Sequence, residues 1–237
     1  MPRMVFLLFT LLLLPLAASS SGEDEGWVAA RRRMIERDLK GRDIRDAKVL
    51  EIMGRVPRHL FVDPSMQNTA YADHHLPIGE GQTISQPYIV AWMTQILQIK
   101  PGEKVLEVGT GSGYQAAVLA ELTDEVFTIE IRPGLTQLAA RRLKQLGYEK
   151  VRVKSGDGYF GWEENAPFDI IMVTCAANHI PPPLIKQLKE NGRLIIPLGS
   201  TTYFQNLTLL TKKKGKTDIQ HLLGVSFVPI TGEAQKK

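Results

Sequence analysis

The sequence predicts an α/β fold: a doubly wound, mostly parallel sheet with an antiparallel edge and a helical N-terminal region. Three observations predict it. From residue 101 onward, short apolar or β-branched runs alternate with helical patterns, the order expected of parallel strands covered by helices on both faces. The first run ends in a glycine-rich turn, Gly109-Thr110-Gly111-Ser112-Gly113, that leads straight into a helical pattern. Upstream of residue 100 the pattern is helical spacing and loop punctuation rather than strand alternation. Hydrophobic residues at 43% and charged residues at 23% give a globular balance and exclude bulk disorder.

Each element has its own local reason. Trp27 to Lys40 places Val28, Met34, Ile35 and Leu39 at helical spacing and stops at Gly41. Asp46 to Arg55 predicts a second helix, with Val49, Leu50, Ile52 and Met53 apolar and Pro57 as its stop. Residues 56–86 read as loop, punctuated by Pro57, Pro64, Pro77, Gly79 and Gly81. Pro87 opens a helix that runs through Tyr88 to Gln98. Strands are expected at Lys104–Gly109, Glu125–Glu130, Val151–Gly156, Phe168–Cys175 and Arg193–Leu198. Helices are expected between them over Tyr114–Leu122, Gly134–Leu146 and Pro181–Glu190. The last two runs, Asn206–Lys212 and His221–Val228, have no helix between them, and Lys214-Gly215-Lys216 marks a hairpin turn.

Residues 1–22 read as a signal peptide or N-terminal anchor, leaving 23–237 as one domain. Arg3 supplies a positive start, and Val5 to Ala18 is an apolar stretch of 14 residues interrupted by Thr10 and Pro15. Small residues from Ala17 to Gly22 follow it. The stretch is shorter than the roughly 20 residues a spanning helix needs. This layout predicts a periplasmic or exported protein, with the cytoplasm as the alternative. The net charge of +4, from 29 Lys+Arg against 25 Asp+Glu mixed along the chain, argues against a nucleic-acid partner. The single cysteine, Cys175, excludes an internal disulfide and a cysteine-cluster metal site.

The glycine turn carries the chemistry. Glycines there admit positive φ and let the backbone approach a ligand, and the turn follows the first strand of the unit, where open α/β sheets bind ligands. The spacing is G-x-G-x-G, with Tyr114 where a dinucleotide fingerprint has its third glycine. Glu107 precedes the turn, and a carboxylate there suits a cationic amino-acid group and not a pyrophosphate. Both points favour S-adenosylmethionine over a nicotinamide dinucleotide. Glu130 ends the second strand, 21 residues after Gly109, where it can accept hydrogen bonds from ribose hydroxyls of either ligand. Gly156-Asp157-Gly158 follows the third strand, and Asp157 there can reach an adenine amino group. Upstream, Gly81-Gln82-Thr83-Ile84-Ser85-Gln86-Pro87 places hydroxyls just before a helix start. Such a segment can hold a carboxylate near a methyl donor, or Ser85 or Gln86 can simply cap the helix.

On these residues the sequence resembles the protein-L-isoaspartate (D-aspartate) O-methyltransferase family. The resemblance lies in Val56-Pro57-Arg58-His59-Leu60-Phe61-Val62, in Tyr71 to Ile78, in Gly79 to Pro87 and in the Glu107–Tyr114 turn. Gly192 to Gly199 and Phe227-Val228-Pro229 extend it, so it runs from about Met34 to Gly232. The chain departs from the family pattern at Cys175, Ala177 and Asn178, and has Ser226 where the family often has Arg. The signal-like segment is a further departure, since most members are cytosolic.

The resemblance implies a Rossmann-like methyltransferase fold. It implies transfer of a methyl group from S-adenosylmethionine to the free carboxylate of L-isoaspartyl residues in damaged proteins. Ser85 maps to the family's active-site serine, with Thr83, Ile84, Gln86 and Pro87 shaping the pocket and Val228 and Thr231 on the peptide side. Glu107, Gly109, Gly111, Gly113, Glu130, Asp157 and Gly158 are the expected cofactor residues. The expected partners are isoaspartyl proteins and peptides, with no metal, and the expected state is a monomer. Methylation of another carboxylate and turnover-free binding of damaged peptides are the rival readings. His59, His74, His75 and His179 lack metal-ligand spacing and read as structural, as does the basic run at Lys212, Lys213, Lys214 and Lys216.

Overall fold

The computed structural model describes residues 25–200 and 203–235. The expected signal peptide or anchor over residues 1–22 lies outside them. Helix α1, Glu25–Arg33, runs on into a π-helical segment, Met34–Lys40, that ends at Gly41. Its widened turns close with the Gly41 amide donating to the Glu36 carbonyl at 3.1 Å. Met34 and Leu39 are fully buried. Helix α2, Ala47–Arg55, is capped by Asp46, whose side chain accepts from the Lys48 and Val49 amides. Short 3₁₀ turns at Arg58–Phe61 and Pro64–Thr69 follow.

The segment expected to be loop through residue 86 contains a small hairpin instead. Strands β1, Leu76–Gly79, and β2, Gln82–Ile84, pair antiparallel. Gly79, Glu80 and Gly81 all take positive φ, at 92°, 49° and 69°, which folds the chain back in so few residues. Sequence punctuation marks the turn, but each flanking strand is too short to show alternation. Helix α3, Pro87–Leu97, starts directly after β2 with Pro87 in its first turn.

The remaining chain alternates as expected. It comprises β3 (Val105–Val108), α4 (Tyr114–Ala120), β4 (Val126–Glu130), α5 (Pro133–Gln145), β5 (Arg152–Ser155) and β6 (Phe168–Val173). Helix α6 (Pro182–Gln187), β7 (Leu188–Gly199), β8 (Gln205–Lys213) and β9 (Lys216–Val225) complete it. The sheet order is β5-β4-β3-β6-β7-β8-β9. Strands β5 to β7 are parallel, and β7-β8-β9 form an antiparallel meander at one edge. The chain leaves β3 toward β4 and β5, then returns to β6 on the other side of β3. The topological switch therefore lies at the carboxyl ends of β3 and β6.

Several boundaries differ from expectation, among them the starts of β7 at Leu188 and of β9 at Lys216. Helix α6 stops at Gln187 because Leu188 already pairs with Phe168 on β6, before a bulge that restores register at Ile170↔Arg193. The last strand ends at Val225, and the following residues run beside the end of β6. There Ala176 N donates to Val228 O and Ile230 N to Ala176 O, both at 2.8 Å.

The core follows the strand period of two. Val105, Ile170, Met172 and Ile195 pack on one face with Met93, Leu97 and Leu119. Leu106, Val108, Ile171, Val173 and Leu194 pack on the other with Phe127, Phe168 and Leu184. Burial of β3, β4 and nearly all of β6 on both faces is what a central parallel strand requires.

Candidate active site

At the switch point the strand ends converge on the glycine turn. Gly109, Gly111 and Gly113 take φ of 102°, 52° and 88°. A Cβ on Gly109 would lie 2.5 Å from Thr174 Oγ1, so this position also needs the space. Thr174, just past β6, donates its hydroxyl to the Gly109 carbonyl at 2.7 Å and the Val108 carbonyl at 3.0 Å. From β4, the Ile129 carbonyl accepts from the Gly109 and Thr110 amides. The turn is thus gripped from both neighbouring strands.

The two carboxylates differ sharply in environment. Glu130 Oε2 accepts from the Gly111 amide at 2.9 Å, and its Oε1 from the Arg132 amide at 3.0 Å. Each oxygen keeps a second lone pair for a ligand hydroxyl. Glu107 is fully buried. Its Oε2 accepts from Thr128 Oγ1 at 2.5 Å, and that hydroxyl accepts in turn from Thr110 at 2.6 Å. Its Oε1 has no partner among the described residues. Burial pushes the Glu107 carboxyl up to about 8, against the opposing pull of the Thr128 hydrogen bond. The unpartnered oxygen belongs to a residue lining the cleft above the turn.

That cleft is lined by Thr83, Ile84, Ser85, Glu107, Gly109, Gly111, Glu130, Gly158 and Thr231, among others. Gly113 and Asp157 do not line it. Gly113 lies beneath the turn, where an added Cβ would meet Ala139 and Leu143. Asp157 Oδ1 accepts from the Tyr159 amide at 2.9 Å, and its Oδ2 from the Glu233 amide at 2.8 Å. Its carboxylate holds a 3₁₀ turn and the C-terminal segment together. Cys175 lines the cleft too, with its thiol pushed up by burial and by the nearby Glu130 and Asp157 charges.

A second groove adjoins the first. Ser85, Gln86, Tyr88, Phe227 and Val228 line it, together with Arg42 and His75. Thr83, Ser85, Thr174, Val228 and Pro229 line both cavities, so the two meet there. Thr231 lines the first cleft only, because the chain turns across Ala176 after Val228. Pro87 lines neither cavity and is buried at the start of α3.

The residue that positions Ser85 was not visible locally. Gln86 is the N-cap of α3, but neither it nor Ser85 caps the helix with its side chain. Asp73 does so from a distant loop: its Oδ1 accepts from the Tyr88 amide at 3.1 Å, and its Oδ2 from Gln86 Nε2 at 2.7 Å. The hairpin sits beside the turn as well, with Glu80 Oε2 4.0 Å from Arg132 Nη1.

The histidines have neighbours of their own. His59 stacks on Trp27 at 4.7 Å and shares a hydrogen bond with Tyr71 at 2.8 Å. His179 bonds Asn178 at 2.6 Å. Among the described residues there is no group of three or more His, Cys, Asp or Glu that could hold a metal ion. Lys212 donates to the Ile185 and Leu188 carbonyls at the end of α6, a structural tie.

Comparison with known proteins places this geometry. The family model described as protein-L-isoaspartate(D-aspartate) O-methyltransferase matches residues 29–235. The chain belongs to that family. A Shewanella sediminis relative named protein-L-isoaspartate O-methyltransferase 2 is 52% identical over 239 residues, spanning 100% of this chain and 98% of its own. An Opitutus terrae relative named protein-L-isoaspartate O-methyltransferase is 52% identical, covering 94% of this chain and 95% of its own. A Plasmodium falciparum protein described as a beta-aspartate methyltransferase was solved in complex with S-adenosyl-L-homocysteine. It superposes with a TM-score of 0.74 at 28% identity, over 85% of this chain and 98% of its own.

Asp73→Ala removes the remote cap of α3. The expected loss is about 1 kcal/mol of unfolding free energy in urea, the usual cost of an N-cap. Faster amide exchange at Tyr88 should accompany it, and unchanged exchange there counts against the capping role.

Proposed function

We infer that this chain is an S-adenosylmethionine-dependent protein-L-isoaspartate O-methyltransferase that methylates the free carboxylate of isoaspartyl residues in damaged proteins. The observation that carries the reading is the meeting of the cofactor cleft and the second groove at Thr83, Ser85, Thr174 and Val228. A donor in one and an acceptor in the other come face to face without crossing bulk water.

The residues present fit the cofactor. The unpartnered Glu107 Oε1 suits its ammonium group, and Glu130 has acceptor capacity left for ribose hydroxyls. Gly109, Gly111 and Gly158 give the close backbone approach. When bound, S-adenosylmethionine supplies a methyl group on a sulfonium, a good leaving group. The acceptor carboxylate has a reference pKa near ~4 and is ionised at neutral pH, so no residue here must remove a proton. The chain's work is alignment. Ser85 donates a hydrogen bond to one carboxylate oxygen and leaves the other toward the cleft. Thr83, Ile84 and Gln86 border that position, and Val228 closes the far side. The methyl ester formed is displaced by the neighbouring backbone nitrogen, giving a succinimide that hydrolyses partly to normal aspartate.

Two further readings complete the proposal. A monomeric state is part of the proposal. The layout of residues 1–22 supports export of a 23–237 domain. The N-terminal residue of the protein in fractionated cells tests export: an intact Met1 in the cytoplasmic fraction overturns it.

Labelled methyl transfer to an isoaspartyl peptide, with its aspartyl twin as control, tests the reaction. Label is expected in the first alone. Ser85→Ala should lower kcat by about 10- to 100-fold through misalignment, with cofactor affinity within about twofold. Collapse of cofactor affinity overturns the role given to Ser85.

Glu107 makes binding sensitive to pH. Burial in the folded chain holds the Glu107 proton up to about 8, well above the usual carboxylate range. Stability from this group therefore falls as pH rises through that window. An ammonium beside it favours the carboxylate, so cofactor binding near neutral pH should release a proton. Calorimetry in two buffers of different ionisation enthalpy measures it, and Glu107→Gln should abolish the difference.

A further inference from the structure

The second groove has walls of unlike chemistry. Arg42 and His75 line it together with the apolar side chains of Phe204, Leu223, Val225 and Phe227. Among the described residues, no carboxylate residue lines it. The Arg42 guanidinium lies over the Tyr88 ring, 3.2 Å from its centroid. Its Nη1 donates to Asp73 Oδ2 at 3.2 Å, and the side chain stays 44% exposed. Stacking on one face and an ion pair at one corner hold the planar fork in place, with donors to spare.

The neighbouring acids do not cancel it from the groove side. Asp73 is 18% exposed and already accepts from Gln86 and the Tyr88 amide, at the positive end of α3. The Asp43 oxygens accept from the Tyr88 hydroxyl at 2.7 Å and Trp92 Nε1 at 3.3 Å, and Asp43 does not line the groove.

We propose that Arg42 forms a subsite for an acidic side chain flanking the isoaspartyl residue, so that this enzyme favours damaged segments carrying a nearby Asp or Glu. The proposal rests on the methyl-transfer reading above and names the sequence context of its substrate. A preorganised guanidinium offers a carboxylate charge-assisted, bidentate hydrogen bonds, and Asp73 engages only its near edge. The same charge disfavours a flanking Lys or Arg.

The test uses the full chain and a set of isoaspartyl peptides alike except for one flanking residue, Glu, Gln or Lys, walked along both sides. At one or more positions the Glu peptide should show a KM about three- to tenfold below its Gln twin, with kcat unchanged. The gap should narrow in high salt. Arg42→Gln should bring the ratio to one, and Arg42→Lys should keep part of it. A merely structural role for Arg42 would shift all peptides together and leave the ratio intact. A ratio near one at every position in the unaltered protein, or one that Arg42→Gln leaves unchanged, overturns the subsite and leaves the methyl transfer standing. No label in any isoaspartyl peptide overturns both.

Discussion

The grip on the glycine turn is the constraint on which the site depends. The turn after β3 is left-handed at Gly109, Gly111 and Gly113 and cannot rely on helix or sheet hydrogen bonds of its own. Its partners come from the strands on either side: Ile129 and Glu130 from β4, and Thr174 from the end of β6. Parallel pairing in register puts those three ends at the same height. The cleft is therefore a product of sheet topology.

Two glutamates at adjacent strand ends do opposite work. Glu130 is held by one backbone amide on each oxygen and keeps spare lone pairs for a ligand. Glu107 is desolvated and has one oxygen without a partner. A buried, half-satisfied carboxyl costs stability in the free protein. That cost is tolerable where a cation completes the network, which is why the feature reads as recognition rather than packing error.

The sequence displayed what is local and concealed what is remote. The turn at Gly109–Gly113 was legible because strand, glycines and helix are contiguous. So were the central strands, whose apolar runs reflect burial on both faces. The cap of α3 was not, since Asp73 lies 15 residues before the amide it holds. The β1–β2 hairpin was hidden because two short strands cannot establish a period. Asp157 is the expected adenine contact from its place between glycines, but its tie to the Glu233 amide, 76 residues on, had no local signal. Thr231 went to the first cleft for a related reason: its position follows from a bridge to Ala176 that no local pattern announces.

The attachment of Glu233 to Asp157 has a consequence for how the molecule is made. Residues 228–231 supply one wall of the cleft, and they are pinned by Ala176 and by that single amide. Strands β3, β4 and β6 all precede this stretch in the chain and pair without it. A chain with its central strands paired can thus still lack one wall of the cleft until Glu233 docks on Asp157.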